Sequence, residues 1–229
     1  MSTIPDIFQA VCGLLVVLVA RLGLVAAVAA ALVAPVALAL GMRSCWRWSR
    51  ARMRGLLRIG NVLYRPDVRY AAGHTWIERE GASARIGIDG LAQEILPWAL
   101  AVRLPKLGES LAEGQIAAVI SCGAVEARFA APLTGTVVAV NTAVADDPSL
   151  VKEDGFGRGW LYVLEPADSG YEVLTVGDAA RDWMKAEAKR LRLFYETRLG
   201  PLWRLIVRGP APMLSPDVWA DLTREFLRA

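Results

Sequence analysis

The sequence predicts a mainly β domain, a barrel or sandwich, with helices at its C-terminal end and a transmembrane helix before it. Three observations lead to this fold class. Short apolar runs alternate with turn residues from position 74 to position 165. A helical period of apolar residues then extends over 178–199. Near the N-terminus, 22–42 is an uncharged stretch of 21 residues.

The N-terminal region has the composition of a membrane anchor. Residues 7–42 carry one charge, Arg21, and the uncharged part is long enough to cross a hydrocarbon core of roughly 30 Å as a helix. A cleaved signal peptide would need a basic start, whereas the only charge before Arg21 is that of Asp6. We therefore expect 1–42 to form a transmembrane anchor. Because the apolar run exceeds one bilayer, it is either one long tilted helix or part of a larger membrane assembly.

The segment 43–69 is a strongly basic linker. Five of its arginines recur at spacings of three and four residues, which places them on one stripe of a helix: Arg43, Arg47, Arg50, Arg54 and Arg58. We expect this helix to lie on the membrane and to bind anionic lipid. Basic residues at a membrane exit also place the following domain on the cytoplasmic side. A nucleic-acid arm is the alternative interpretation, and the position directly after a membrane span argues against it.

The charge reverses in the remainder of the chain. From Tyr70 onward there are 17 basic and 21 acidic residues, a net charge of −4, so the overall charge of +3 belongs to the membrane junction. The composition therefore gives no reason to expect nucleic acid as a partner. The three cysteines, Cys12, Cys45 and Cys122, are scattered and odd in number, which does not suggest a disulfide framework.

The β domain is expected to contain seven strands. Each is an apolar run bounded by Gly, Pro or acidic residues: His74–Glu80, Ala84–Ile88, Ala101–Leu104, Gln115–Ser121, Glu126–Ala130, Gly135–Val140 and Trp160–Glu165. This spacing favours an all-β barrel or sandwich over a parallel α/β sheet. Asn141–Arg158 is expected to be a connecting loop.

Within and after the β domain, three helices are expected. Leu91–Leu96 has a short helical pattern with Asp89 as its cap. The helix over 178–199 would place six apolar residues on one face, namely Ala180, Trp183, Met184, Ala188, Leu191 and Tyr195. Ser215 followed by proline begins a last helix, since serine is a favoured N-cap and proline a favoured first residue.

Few residues in the β domain have catalytic or metal-binding chemistry. His74 is the only histidine, and one histidine without a cysteine cluster does not make a zinc site. We expect either a hydrogen-bonded surface role or a packing role for it, rather than catalysis. No Ser-His-Asp or Cys-His set can be assembled, so we expect neither an enzyme nor a metal site. An acidic group is expected to be solvated, with recognition of a basic partner as the alternative: Asp146, Asp147, Glu153 and Asp154.

Several motifs, in order, resemble the H protein of the glycine cleavage system, a lipoyl carrier. They are Tyr70–Ile77, Ala84–Glu94, Leu104–Gly114, Ala131–Asn141, Asp147–Leu161 and Val176–Met184. The resemblance implies a hybrid barrel-sandwich fold of the biotinyl/lipoyl-carrier type over 70–190. Residues 191–229 would then be a C-terminal helical extension.

The departure from the family falls on the hairpin that would hold the cofactor. Val119–Glu126 has the pattern of a hairpin tip, and the resemblance places the lipoyl-lysine position at Gly123, or at Ala124 if the alignment slips by one residue. The chain has no lysine between Ala112 and Thr142. The family's amide link to lipoate needs a primary amine, so no lipoate is expected on this hairpin.

The sequence therefore predicts a membrane-anchored, non-lipoylated module that acts as a scaffold or accessory subunit of a membrane-associated complex. Its expected partners are membrane lipid and other proteins of that complex, and no cofactor is expected. Two alternatives stay open. The chain could be a lipoyl-type carrier of the glycine cleavage system or a related lipoate pathway, through an unexpected attachment site. It could also be a thiol-based carrier through Cys122.

Overall fold

Antiparallel strands and the helices packed on them form the unit that follows the N-terminal region. The computed structural model describes residues 55–96, 101–122, 125–208 and 214–227, together with the single positions 21 and 33. The chain divides into two units, 1–53 and 54–229. Within the described residues, no helix combines the length and the apolar composition that a membrane crossing requires. The predicted transmembrane helix lies outside those residues, apart from the two single positions.

The strands of the described residues form three antiparallel sheets. In chain order they are β1 (Leu57–Ile59), β2 (Val62–Tyr64), β3 (Arg69–Ala71), β4 (Thr75–Glu80), β5 (Ser83–Ile88), β6 (Ala101–Arg103), β7 (Ser110–Leu111), β8 (Ile116–Cys122), β9 (Val125–Ala130), β10 (Gly135–Val140) and β11 (Tyr162–Pro166). The largest sheet has the order β3-β4-β5-β11-β10-β7. A second has the order β6-β8-β9, and β1 pairs with β2 alone.

Each of the seven predicted strands has a counterpart, in β4, β5, β6, β8, β9, β10 and β11. The prediction of a mainly β domain with C-terminal helices is confirmed. The strands β1, β2, β3 and β7, of two or three residues each, were not predicted.

The predicted surface helix does not extend to Arg58. This arginine lies in β1 and pairs with Leu63, across a turn where Gly60 has φ 64°. A left-handed residue of this kind suits a tight turn between strands, and the return strand buries Val62 and Tyr64. The other four arginines of the stripe lie outside the described residues.

The helices among the described residues are α1 (Gly90–Ile95), α2 (Thr142–Asp146), α3 (Leu150–Glu153), α4 (Gly177–Leu199), α5 (Trp203–Arg208) and α6 (Pro216–Phe226). Two 3-10 turns cover Gly170–Val173 and Gly200–Leu202. The predicted caps of α1 and α6 are confirmed, since Asp89 and Ser215 accept hydrogen bonds from backbone amides in the first turns. The segment Asn141–Arg158 is not a simple loop, because it contains α2 and α3.

One hydrophobic core joins the strands to the C-terminal helices. The apolar face of α4 contributes Ala180, Met184, Leu191 and Tyr195, and α6 contributes Trp219, Leu222 and Phe226. The strands contribute the largest buried side chains, among them Trp76 and Phe129. The proposed boundary between 190 and 191 falls inside α4, which is continuous. The C-terminal extension is therefore packed on the β unit rather than linked loosely to it.

Candidate functional site

The hairpin formed by β8 and β9 is well defined up to its last pair. Ile120 lies opposite Ala127, Ser121 opposite Glu126, and Cys122 opposite Val125. The connection between the strands is therefore two residues long, and those residues, Gly123 and Ala124, lie outside the described part of the chain. Both positions considered for the carrier residue thus belong to the same short connection.

The base of this hairpin is held on both sides. Ala118, Ile120, Ala127 and Phe129 are buried in the core. On its other edge β8 pairs with β6, where Val102 lies opposite Ile120. Helix α6 packs near β9. Close packing and a paired ladder on each side of β8 give the hairpin a rigid base.

The chemistry of this connection does not match a lipoyl attachment site. Neither glycine nor alanine has a primary amine, and the cysteine that precedes them cannot form an amide through its side chain. The side chain of Cys122 lies outside the described residues, so the expectation of a reactive thiol stays a prediction. At the hairpin, the residues present do not fit lipoate.

A buried histidine–aspartate pair is packed against α4. His74 Nδ1 is 2.9 Å from Asp89 Oδ2, and both side chains are buried. The His74 ring stacks on Trp183 at a centroid distance of 5.2 Å. Burial lowers the pKa of His74, but the charge and hydrogen bond of Asp89 outweigh it, so that the pKa is raised above its usual value. Glu187 raises it further and Arg190 opposes that effect.

This pair has a structural role. Asp89 Oδ1 accepts from the Ala92 amide, so the carboxylate that binds His74 also caps α1. His74 itself has φ 57°, an uncommon conformation for a residue other than glycine. The bond to Asp89, the stacking on Trp183 and the packing of α4 hold it there. The packing role expected for the only histidine agrees with this geometry.

The acidic group between 146 and 154 makes local hydrogen bonds. Asp147 Oδ1 accepts from the hydroxyl of Ser149 at 2.6 Å, and Asp154 Oδ2 accepts from the Arg158 amide at 3.1 Å. Over the described ranges, no group of three or more His, Cys, Asp or Glu side chains is placed to hold a metal ion. Recognition of a basic partner by this surface stays a prediction.

One partly buried lysine is not distinguished by any sequence pattern. Lys152, on α3, donates its Nζ hydrogen to the carbonyl oxygen of Leu96 at the end of α1. Burial lowers the pKa of Lys152, and the charge of Glu94 partly opposes that shift. Nothing in the local sequence distinguishes this lysine from a solvated one, because its burial depends on α1, more than 50 residues earlier.

Comparison with known proteins identifies the family. The profile described as "Glycine cleavage H-protein" matches residues 68–187, more than half of the chain. The chain belongs to the glycine cleavage H-protein family.

Two individual H proteins agree with this assignment in sequence. The glycine cleavage system H protein of Shewanella woodyi is 40% identical over 103 residues, which are 44% of this chain and 80% of the relative. That of Myxococcus xanthus is 38% identical over 102 residues, 44% of this chain and 79% of the relative. The crystal structure of a glycine cleavage system H protein from Mycobacterium marinum is similar at 34% identity and a TM-score of 0.42. The matched region is 45% of this chain and 87% of the Mycobacterium marinum chain.

Within this H-protein family member, the hairpin of β8 and β9 lies inside the matched segment. The arginine stripe and the predicted membrane anchor precede that segment, and α5 and α6 follow it. The family assignment thus covers the β unit and the first half of α4.

Proposed function

We propose that this chain serves the glycine cleavage system or a related lipoate pathway as a lipoyl-type carrier protein. The observation that carries this proposal is the family match over residues 68–187, a segment that includes the hairpin of β8 and β9. Family membership favours this role over the membrane-anchored scaffold or accessory subunit that the sequence alone suggested. A carrier presents cargo to other proteins and performs no catalysis itself, which agrees with the expectation of a non-enzyme.

A competition experiment tests this role. Other proteins of the glycine cleavage system, taken from the organism that carries this chain, would be immobilised. The Shewanella woodyi H protein would then be bound to them. If the proposal is correct, the full chain in detergent displaces that H protein in proportion to its concentration. The isolated anchor segment, 1–53, serves as the control and should displace nothing. If the full chain leaves the bound H protein in place, the chain does not dock where H proteins dock.

The second candidate is a non-lipoylated scaffold or accessory subunit in a membrane-associated complex. The missing hairpin amine favours it, because the H-protein shape then survives without its attachment residue. The uncharged stretch 22–42 and the arginine stripe support a membrane location, with the β unit on the cytoplasmic side. Membrane lipid and the other subunits of the complex would be its partners.

Gentle detergent extraction distinguishes this second candidate. A scaffold would leave the membrane fraction together with a fixed set of subunits. Recovery of a homogeneous monomer, or recovery of the chain in the soluble fraction after cell breakage, would contradict it. Mass spectrometry of the extracted material identifies the subunits and at the same time gives the intact mass of the chain.

A third candidate is a thiol carrier acting through Cys122. It is supported only by the position of this cysteine in the last pair of the hairpin. Reactivity of a thiol depends on its thiolate fraction and its access to solvent. Labelling of the folded, purified chain with a thiol reagent, followed by peptide mapping, measures both. A Cys122 that stays unlabelled until the chain is unfolded rules out this carrier role.

A further inference from the structure

The outer face of α4 is a basic surface turned away from the core. It carries four exposed basic residues at spacings of four, four and three, which places them on one stripe of the helix: Arg181, Lys185, Lys189 and Arg192. We propose that this outer face of α4 binds the anionic headgroups of a lipid bilayer. The inference rests on the membrane location put forward for the second candidate function, and it names a lipid-binding surface on the β unit itself.

The four cations are available to an external anion. Lys185 pairs with Asp182 at 2.8 Å, and Arg192 pairs with Glu196 at 2.8 Å. Both pairs are exposed to solvent, where an ion pair within a helix contributes little and other anions compete with it. Within the described ranges, the remaining two cations of the stripe form no ion pair. The face is thus basic, although the chain from Tyr70 onward has a net charge of −4.

Strand β1 adds to this surface. Strands β1 and β2 both contact α4, and the Tyr64 hydroxyl donates to the Gly177 carbonyl at 2.8 Å, which ties β2 to the start of the helix. On β1, Arg58 is exposed and Leu57 is 47% exposed. On the side of α4 away from the core, Leu193 is 50% exposed. Exposed leucines among cations are typical of a surface that lies in the headgroup region of a bilayer.

The chain itself brings this surface within reach of a bilayer. The predicted anchor ends at residue 42, and β1 begins at Leu57. Residues 43–56 lie between them and span at most about 50 Å when fully extended. Because α4 packs on β1, the helix stays within that distance of the membrane that would hold the anchor. A tether of this length keeps the local concentration of lipid high, so that a weak attraction by each cation is sufficient.

An acidic protein is the other partner that these cations could attract. The geometry favours a bilayer, because the stripe from Arg181 to Arg192 is straight and about 16 Å long at 1.5 Å per residue, so that several headgroups can contact it at once. The segment before β1 is also basic, which makes the cations of α4 a continuation of the surface already expected to meet lipid. A protein partner would have to find this face by diffusion, whereas the tether holds it near lipid.

Acylation of the chain's own lysines tests the proposal. The full chain would be reconstituted into vesicles of phosphatidylcholine, with or without about 30% phosphatidylglycerol, and labelled with a neutral N-hydroxysuccinimide ester. Peptide mapping then gives the labelling rate of each lysine. We expect Lys185 and Lys189 to be labelled at least about threefold more slowly in the anionic vesicles. An anionic surface keeps nearby amines protonated, and contact with lipid excludes the reagent.

Lys106 is the internal reference for this measurement. It is exposed in the turn between β6 and β7, where the Gly108 amide donates to the Val137 carbonyl of β10 at 2.8 Å. Strand β7 forms the edge of the large sheet opposite β3, and β3 is the strand of that sheet that contacts α4. The labelling rate of Lys106 should therefore be the same in both vesicles, since the field of a charged surface falls off within about 10 Å.

A double variant tests the role of charge. Arg181→Glu combined with Arg192→Glu keeps both reporting lysines and reverses two charges of the face, so the slower labelling in anionic vesicles should disappear. The matched control reverses two exposed arginines on other elements, Arg103→Glu combined with Arg158→Glu, and should keep the slower labelling. Thermal unfolding of both variants checks that they are folded. If a variant does not fold, the comparison of the two vesicles with the unchanged chain still decides the proposal.

Three results would overturn the proposal. Equal labelling of Lys185 and Lys189 in the two vesicles, in a chain that floats with both, removes the lipid-binding face and leaves the membrane location standing. A chain that floats with neither vesicle contradicts the membrane location as well. Slower labelling that appears only when other proteins of the glycine cleavage system are added assigns the face to an acidic protein instead. The competition experiment above contains no bilayer, so its result for the carrier role is independent of all three.

Discussion

Asp89 joins three parts of the buried polar network beside α4. Its Oδ2 is 2.9 Å from His74 Nδ1, its Oδ1 accepts from the Ala92 amide at 2.9 Å, and its own amide donates to the His74 carbonyl at 2.9 Å. Its side chain is fully buried, so water cannot replace a lost partner. Removing this carboxylate should therefore cost more than removing a surface acid.

We expect Asp89→Ala to lower the free energy of unfolding by about 2–4 kcal/mol. Loss of the N-cap contributes about 1 kcal/mol. The buried imidazole left without its partner contributes about 1–3 kcal/mol. Asp89→Asn keeps an acceptor oxygen for the Ala92 amide, removes the charge and places an NH2 donor where an oxygen faces His74 Nδ1. Asp89→Asn should therefore lower the free energy of unfolding by less than Asp89→Ala does, by about 1–2 kcal/mol at low pH.

The asparagine variant should also change the pH dependence of stability. The folded-state pKa of His74 is raised by Asp89, so the pair stabilises the fold fully below the unfolded pKa of about 6.5. This contribution is lost as the pH rises through the folded pKa. Asp89→Asn should then destabilise the chain more at pH 6 than at pH 9. Glu187 and Arg190, which also act on His74, are unchanged in the variant.

Urea unfolding at pH 6 and pH 9, followed by tryptophan fluorescence, measures these differences. Asp182→Asn is the control, because Asp182 pairs with Lys185 on the exposed side of α4, and it should leave the free energy of unfolding unchanged. An Asp89→Asn variant with the same loss of stability at both pH values would refute the charged pair. An Asp89→Ala variant as stable as the wild type would refute the capping argument as well.

Three further variants address packing and the hairpin. Gly87→Ala would place its Cβ 2.5 Å from the buried Trp76 indole, so differential scanning calorimetry should show a loss of about 1–3 kcal/mol. Phe226→Ala should cost about 3–5 kcal/mol in urea unfolding, because this ring is buried against α4, whereas the exposed Leu202→Ala should cost little. Gly123→Lys supplies an amine to the hairpin, and co-production with a lipoate ligase should add a lipoyl group there, read by peptide mapping. An unmodified lysine at 123 would show that the hairpin no longer presents its connection to a ligase.

The strands of the β unit could be predicted where an apolar run between turn residues was long enough to read. Gly135–Val140 was predicted with both ends correct, because it is an apolar run that follows Pro132 and ends before Asn141. The strand β2 could not be predicted in the same way. It has three residues, and it is held by contacts such as the bond from the Tyr64 hydroxyl to the Gly177 carbonyl, 113 residues away. Sequence patterns report local order and carry no record of such distant partners.

The candidate site also has some features that the sequence shows and others that depend on distant parts of the chain. The sequence alone shows that no lysine lies between Ala112 and Thr142, and this composition is independent of the fold. The bonds that fix the turn at Lys106 could not be read from the sequence, since they come partly from β10, about 30 residues later. For the arginine stripe, the sequence pattern predicted a helix that continues too far. Its helical spacing continued through Arg58, but pairing with Leu63 places that residue in a strand.

The sequence by itself determined the elements whose causes are local. These are the alternating strands, the caps at Asp89 and Ser215, and the loss of the hairpin amine. Only the tertiary structure decided which polar groups are buried together and which cations of separate elements share an exposed surface. Burial of His74 against Asp89 and Trp183, and of Lys152 against Leu96, depends on elements far apart in the chain. Solvation and pKa follow from those neighbours, which a one-dimensional pattern does not contain.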